Sequence, residues 1–216
     1  MNARPYRDSS GRLLTDYPRP SVAVDTAVLT LDERLGLVVL QVRRENRSGW
    51  GLPGTFLHEG ERLADAVDRS LRVKANVAGL QPRQLHVFDE PDRDDRGWVL
   101  SVAHVDVVQP GRLEDRFADA TRLKPVDSPG RLPYDHVGII ERAVDHLRGR
   151  YAERPDPDRF LDDEVTIRDL WLVHQRVAGR ELQRDSFRRT MEPQLVATGT
   201  LTRGGRGRPA ELFRRM

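Results

Sequence analysis

The sequence predicts a two-part chain: a mixed α/β (α+β) body, then a small module of two helices and a hairpin. Three observations predict it. Apolar runs of period two alternate with helical stripes up to about residue 152. An acidic, proline-bearing stretch then breaks the periodicity. Beyond it the balance of charge changes sign. A chain of 216 residues is long enough for two modest cores.

Residues 1–18 are polar and read as a flexible leader. SVAVDTAVLTLD (21–32) and LGLVVLQVRR (35–44) are rich in Val, Thr and Leu and read as strands. A Gly/Pro-rich loop, SGWGLPGTFLHEGE (48–61), leads into ERLADAVDRSLRVKANVAG (61–79), whose Leu63, Ala66, Val67, Leu71 and Val73 form a helical stripe. HVFDEP (86–91) and WVLSVAHVDVV (98–108) are strands joined by the charged turn DRDDRG, and DHVGIIERAVDHLRGRY (135–151) is an amphipathic helix. The body therefore spans residues 19–152. ERPDPDRFLDDE (153–164) carries two prolines and six acids and reads as a linker.

Past it, TIRDLWLVHQRVAG (166–179) is a helix capped by Thr166 and closed by Gly179. After a short turn, DSFRRTMEP (185–193) is a second helix with Asp185 as N-cap. LVATGTL (195–201) and LFRR (212–215) are strands around the glycine/arginine loop RGGRGRPAEL.

The whole chain carries +2, yet residues 165–216 hold 11 Arg and 5 Asp or Glu; that region is +6 and the preceding 164 residues are −4. A basic end on a mildly acidic body points to a polyanionic partner. The chain has no cysteine, which excludes disulfides and thiolate metal sites and leaves a cytoplasmic location as the default. No apolar run approaches the roughly 20 residues that span a bilayer, so a membrane partner is not expected.

Helix, turn, helix and hairpin with a basic loop, in that order, are the parts of a winged helix-turn-helix. Its second helix enters the major groove of double-stranded DNA and needs donors on its exposed face. Ser186, Arg188 and Arg189 stand there, while Phe187 and Met191, four apart, turn to the core. Gly204, Gly205 and Gly207 give the loop freedom and Arg203, Arg206 and Arg208 give it charge for phosphates.

The loop and first helix match, in register, the Nudix box G-x5-E-x7-R-E-U-x-E-E-x-G-U, where U is aliphatic. Trp50, Leu52, Pro53 and Gly54 lead in, Gly60 and Glu61 match, Arg69 follows eight residues later, and Leu71 and Val77 fill aliphatic positions. Thr55 and Asn76 replace the two glycines. Ser70, Val73 and Lys74 replace the three glutamates, and Lys74 adds a positive charge at the would-be cation site. Mg²⁺ needs several hard oxygen ligands, and phosphoanhydride hydrolysis needs that cation. The sequence thus predicts a Nudix-like fold with no catalytic residues, no metal and no cofactor.

With YDHVGIIERAVDHLR, and with FRR and GRPAELFR in the last domain, the chain resembles over residues 19–215 the Nudix-related transcriptional regulators of NAD metabolism, the NrtR family. The resemblance implies a homodimeric repressor of NAD biosynthesis or salvage genes whose Nudix-like domain senses ADP-ribose or a related nucleotide; some relatives control sugar metabolism instead. For such a ligand, Arg43 and Arg44 are candidates for diphosphate, Trp50 and Phe56 for base stacking, and Arg96, with Arg93, for the ligand or a neighbouring subunit. Glu61 and Arg69 are candidates for the box loop, as an internal pair. His136 is read as the mere start of the closing helix. The competing functions are an active Nudix pyrophosphatase, opposed by the missing glutamates, and a nucleotide-binding scaffold without DNA affinity, opposed by the basic loop.

Overall fold

The computed structural model describes residues 6–45, 48–202 and 209–216. Strand β1 (Ser21–Asp32) is the spine of the body. One edge pairs in parallel with β6 (Val99–Val107), from Ser21↔Val99 to Leu29↔Val107. The other edge takes β4 (Gly54–Phe56) at residues 23–25 and β2 (Gly36–Arg43) at residues 29–32. With β3 (Trp50–Gly51), β5 (Arg83–Phe88) and β7 (Thr121–Pro125) this makes a seven-stranded sheet in the order β3-β2-β1-β6-β5, β4 lying on β1 and β7 on β2. Alternate residues of β1 serve opposite faces. Ala27, Leu29 and Leu31 pack under helix α2 (His136–Glu153). Val24 and Val28 pack under helix α1 (Leu63–Ala75). Burial on both faces explains why β1 reads as a near-continuous apolar run.

Helix α1 ends on Asn76 in the left-handed region (φ 55°), with its N–H bonded to the Arg72 carbonyl. This is the box position that calls for glycine, and Asn tolerates that conformation better than other side chains.

The second module has α3 (Ile167–Ala178), α4 (Arg184–Met191) and a three-stranded sheet β8-β10-β9, made of Glu164–Val165, Glu211–Arg215 and Leu195–Leu201. Thr166 Oγ1 accepts from the Asp169 amide and the Asp169 carboxylate accepts from the Thr166 amide, closing a capping box. Helix α4 begins one residue before the expected cap: Gln183 precedes it and Asp185 lies in its first turn, where a negative charge still favours the helix dipole. Leu170, Phe187, Met191, Leu195 and Phe213 form the small core. Arg203, Arg206 and Arg208 lie outside the described residues. Strands β3, β4, β7 and β8 are not anticipated from the sequence: β3 and β4 are two and three residues within the stretch 48–61 that reads as a loop, TRLKP has a single large aliphatic side chain, Leu123, and β8 is two residues long.

Helix α3 belongs to both modules. Leu170 enters the small core, whereas Val173 and Val177 join Leu147 and Tyr151 of α2 in the core of the body. Arg148 Nε donates to the Val177 carbonyl at 3.1 Å, and Arg176 donates to the Glu33 carbonyl at 3.2 Å. The connection between the modules is itself packed: Asp156 is fully buried. At the other end of the chain, residues 7–17 form a surface turn held by the Asp8 carboxylate. No helix among the described residues is long and apolar enough to cross a membrane.

Candidate functional site

A cleft of about 350 Å³ opens where the box loop meets the end of β2 and the start of α2. Among the described residues, five cationic side chains line it, Arg43, Arg44, Lys74, Arg93 and Arg96, against the three carboxylates of Asp25, Glu45 and Asp94. Their effect is an electropositive pocket suited to an anion. Tyr134 and Phe56 supply ring faces, and the Arg96 guanidinium stacks 4.7 Å from both ring centroids while clasping Asp94 through two bonds of 2.8 and 2.6 Å. Arg44 reaches the Tyr134 hydroxyl at 3.4 Å.

The floor is a buried polar chain. Asp25 lies in the middle of apolar β1, accepts from Ser101 Oγ at 2.5 Å, and faces His136 Nε2 at 3.3 Å. His136 Nδ1 accepts from the Leu52 amide at 3.0 Å, which leaves Nε2 as the donor to Asp25. Burial opposes the Asp25 charge, but His136, Ser101 and Arg93 outweigh it and hold the carboxyl below its ordinary pKa. Arg93 is fastened to Asp135 at 2.5 Å, and its Nη2 is buried with no partner among the described residues. The box loop crosses this floor closely: a Cβ on Gly54 would stand 2.0 Å from Asp25 Oδ1 and 2.8 Å from the Val24 carbonyl oxygen.

Of the residues singled out from sequence, Arg43, Arg44, Phe56, Arg93 and Arg96 line the cleft. Trp50, Glu61 and Arg69 do not. The Trp50 ring carries Arg122 at 4.4 Å and Arg43 at 5.5 Å. Arg69 is the strut of the box loop, donating to both Glu61 oxygens at 2.8 Å, to Thr55 Oγ1 and to the Phe56 carbonyl. That bonding, with the His58 amide, lowers the Glu61 pKa to about 2. Asp25 and Tyr134 are cleft residues that the sequence does not single out, His136 is more than the start of a helix, and Lys74, expected as a positive charge at the would-be cation site, lines the cleft. An acid within an apolar strand was the available signal for Asp25.

On the second module, Ser186, Arg188 and Arg189 are exposed on α4. Arg188 is bound to Glu192 by two bonds of 2.7 and 2.8 Å, and Arg189 reaches Ser186 Oγ at 3.4 Å. Arg184, at the start of the same helix, stacks 4.5 Å over Trp171.

Residues 159–215 match the family described as the NrtR DNA-binding winged helix domain. The fold matches the crystal structure of Shewanella oneidensis NrtR complexed with a 27mer DNA, at 30% identity and a TM-score of 0.72, covering 90% of this chain and 93% of that one. The chain belongs to the NrtR family. The Nudix domain of the same Shewanella NrtR, in its complex with ADP ribose, matches at 26% identity and a TM-score of 0.54, over 64% of this chain and 95% of that one. Among curated proteins, the ADPR responsive transcriptional repressor NtrR of Acinetobacter baylyi is 25% identical over 210 residues, 93% of this chain and 84% of that protein. The ADP-ribose pyrophosphatase of Methanocaldococcus jannaschii is 30% identical over 142 residues, 61% of this chain and 76% of that enzyme.

Nudix hydrolysis runs on a divalent cation, and the donor set of this NrtR-family chain does not fit one. Glu61 is committed to Arg69, Ser70 is buried, Val73 is exposed, and Lys74 Nζ donates to the Gly54 carbonyl at 2.7 Å. A positive side chain on a hard backbone oxygen is the reverse of what Mg²⁺ requires. Among the described residues, no cluster of three His, Cys, Asp or Glu side chains is placed to hold a metal ion.

Proposed function

We propose that the chain is a transcriptional repressor that binds a double-stranded operator through its winged helix, controlled by ADP-ribose or a related nucleotide bound in the Nudix-like cleft. The observation that carries this reading is helix α3, whose side chains lie in the core beneath the cleft domain and in the core of the DNA-binding module. A ligand that prefers one arrangement of the cleft domain therefore acts on the winged helix through packed side chains; equal affinity for both arrangements would shift nothing. The regulated genes are those of NAD biosynthesis or salvage, and the repressor is a homodimer. Two winged helices on half-sites about one helical turn, roughly 34–36 Å, apart multiply the affinity of each. Arg43, Arg44, Phe56 and Arg96 contact the nucleotide, while Glu61 and Arg69 hold the box loop around it. Trp50 takes the supporting role of stacking on Arg43. Ser186, Arg188 and Arg189 face base edges, and Arg203, Arg206 and Arg208 face phosphates.

The archaeal pyrophosphatase likeness favours a second reading, hydrolysis of ADP-ribose. The cation-binding positions oppose it, and we assign the cleft to recognition without catalysis. Titrating ADP-ribose, NAD and phosphoribosyl pyrophosphate into a preformed operator complex tests the main reading. ADP-ribose is expected to release the DNA; no response to any of the three would refute the control.

A further inference from the structure

We propose that the Lys74 ammonium stands in for a divalent cation in this cleft, so that the diphosphate of the nucleotide is held without metal. The inference rests on the reading of the cleft as a nucleotide site and says how its charge is met. A diphosphate group brings two negative charges, and an oxygen-lined site normally meets them with a bridging cation. Here the box helix carries no acid at positions 70, 73 and 74, and one of the three substitutes is itself a cation.

The geometry makes that cation part of the site. Lys74 is half-buried on the last turn of α1, lines the cleft, and donates to the Gly54 carbonyl at 2.7 Å. That bond uses one of the three donors of an ammonium group and leaves two for a ligand. The carbonyl it occupies belongs to the loop that crosses the buried Asp25, so the position of Nζ is set by a backbone that has no room to shift inward. Arg43, Arg44 and Arg96 stand on the other walls of the same cleft. The buried Nη2 of Arg93, without a partner among the described residues, adds a further donor at its floor. A fixed ammonium surrounded by guanidinium groups supplies the charge that a bridging metal supplies elsewhere, and it cannot be chelated away.

Calorimetry with the full-length protein tests this, with ADP-ribose as the probe, in EDTA and in millimolar Mg²⁺. Equal affinity in the two buffers is expected. Lys74→Met should weaken ADP-ribose on the order of 10- to 100-fold in EDTA, as for loss of a hydrogen bond to a charged group, and Lys74→Arg should restore much of the loss. Adenosine, which lacks the diphosphate, should bind wild type and Lys74→Met alike; a parallel loss for adenosine would mean that the substitution collapses the loop and would overturn the assignment. Binding that needs Mg²⁺ in the wild type, or a Lys74→Met protein with unchanged affinity in EDTA, would also overturn it while leaving the nucleotide reading intact. Absence of ADP-ribose binding in both buffers would overturn both. Circular dichroism of each variant confirms that the fold is retained; if Lys74→Met does not fold, Lys74→Gln carries the same comparison.

Discussion

Nε2 of His174, on α3, accepts a hydrogen bond from the Asp156 backbone amide at 3.1 Å, inside the connection between the two modules. The same Asp156 receives the Tyr151 hydroxyl of α2 at 2.9 Å, the amides of Phe160 and Leu161, and the Arg215 guanidinium of β10 at 3.0 Å. The His174 ring lies 4.8 Å from that of Tyr151 and 4.9 Å from that of Phe187 on α4. One buried carboxylate and one buried imidazole thus link the closing helix of the cleft domain to the helix expected to read DNA.

Stability should fall as pH drops from about 6.5 to about 4. Burial lowers the His174 pKa from 6.5 to about 4. The unfolded chain then binds the proton more readily, so the contribution is full above pH 6.5, declines through that window and is lost below it, amounting to about 3 kcal/mol. His174→Gln keeps an acceptor for the Asp156 amide and removes the titration. Urea melts of both proteins at several pH values should show a wild-type decline that the variant lacks; parallel curves would contradict the assignment.

Replacing Asp156 by Ala should cost about 3–5 kcal/mol, because it takes the acceptor from Arg215 Nη1, the Tyr151 hydroxyl and two backbone amides in a buried place. Chemical denaturation reads the loss directly. An effect below about 1 kcal/mol would place the residue with ordinary surface pairs.

Glu192 holds Arg188 in an exposed i,i+4 pair. Glu192→Gln should therefore tighten binding to operator and scrambled DNA alike, within about fivefold, and more so at low salt. Arg188→Ala and Arg189→Ala should instead lose more on operator than on scrambled duplex, since a bidentate base contact discriminates by about 1–3 kcal/mol. Fluorescence anisotropy on both duplexes separates these outcomes; equal losses on both would remove the two arginines as readers.

No multiple turnover of ADP-ribose is expected with Mg²⁺ or Mn²⁺, and Glu61→Gln should leave that result unchanged. Chromatographic detection of AMP above one equivalent, abolished by the Glu61 substitution, would reverse the conclusion.

The strongly periodic elements were legible from sequence. Strand β1 occupies 21–32, and α3 carries both its Thr166 cap and its Gly179 stop. Both signals are local. What was not legible depends on distant partners. The acids of residues 153–164 look like solvated charge, and the one cation on the buried Asp156 carboxylate among the described residues, Arg215, comes from 59 residues away. Asp25 needs Ser101 and His136 from remote strands and helices. The box pattern puts the charge of Lys74 at the would-be cation site, but says nothing of the Gly54 carbonyl to which its ammonium is tied.

The close passage of Gly54 over Asp25 separates two kinds of position in the box and its lead-in. Residues 70, 73 and 74 are the glutamate positions of the box, and their side chains can change while the backbone path is kept. Position 54 serves architecture: any side chain would collide with a buried carboxylate and with main chain, whatever the protein is used for. Selection for folding alone is enough to keep that glycine. A box can therefore stay recognisable as a pattern, with the glycine before it and the Glu61–Arg69 strut in place, when its three clustered glutamates are gone.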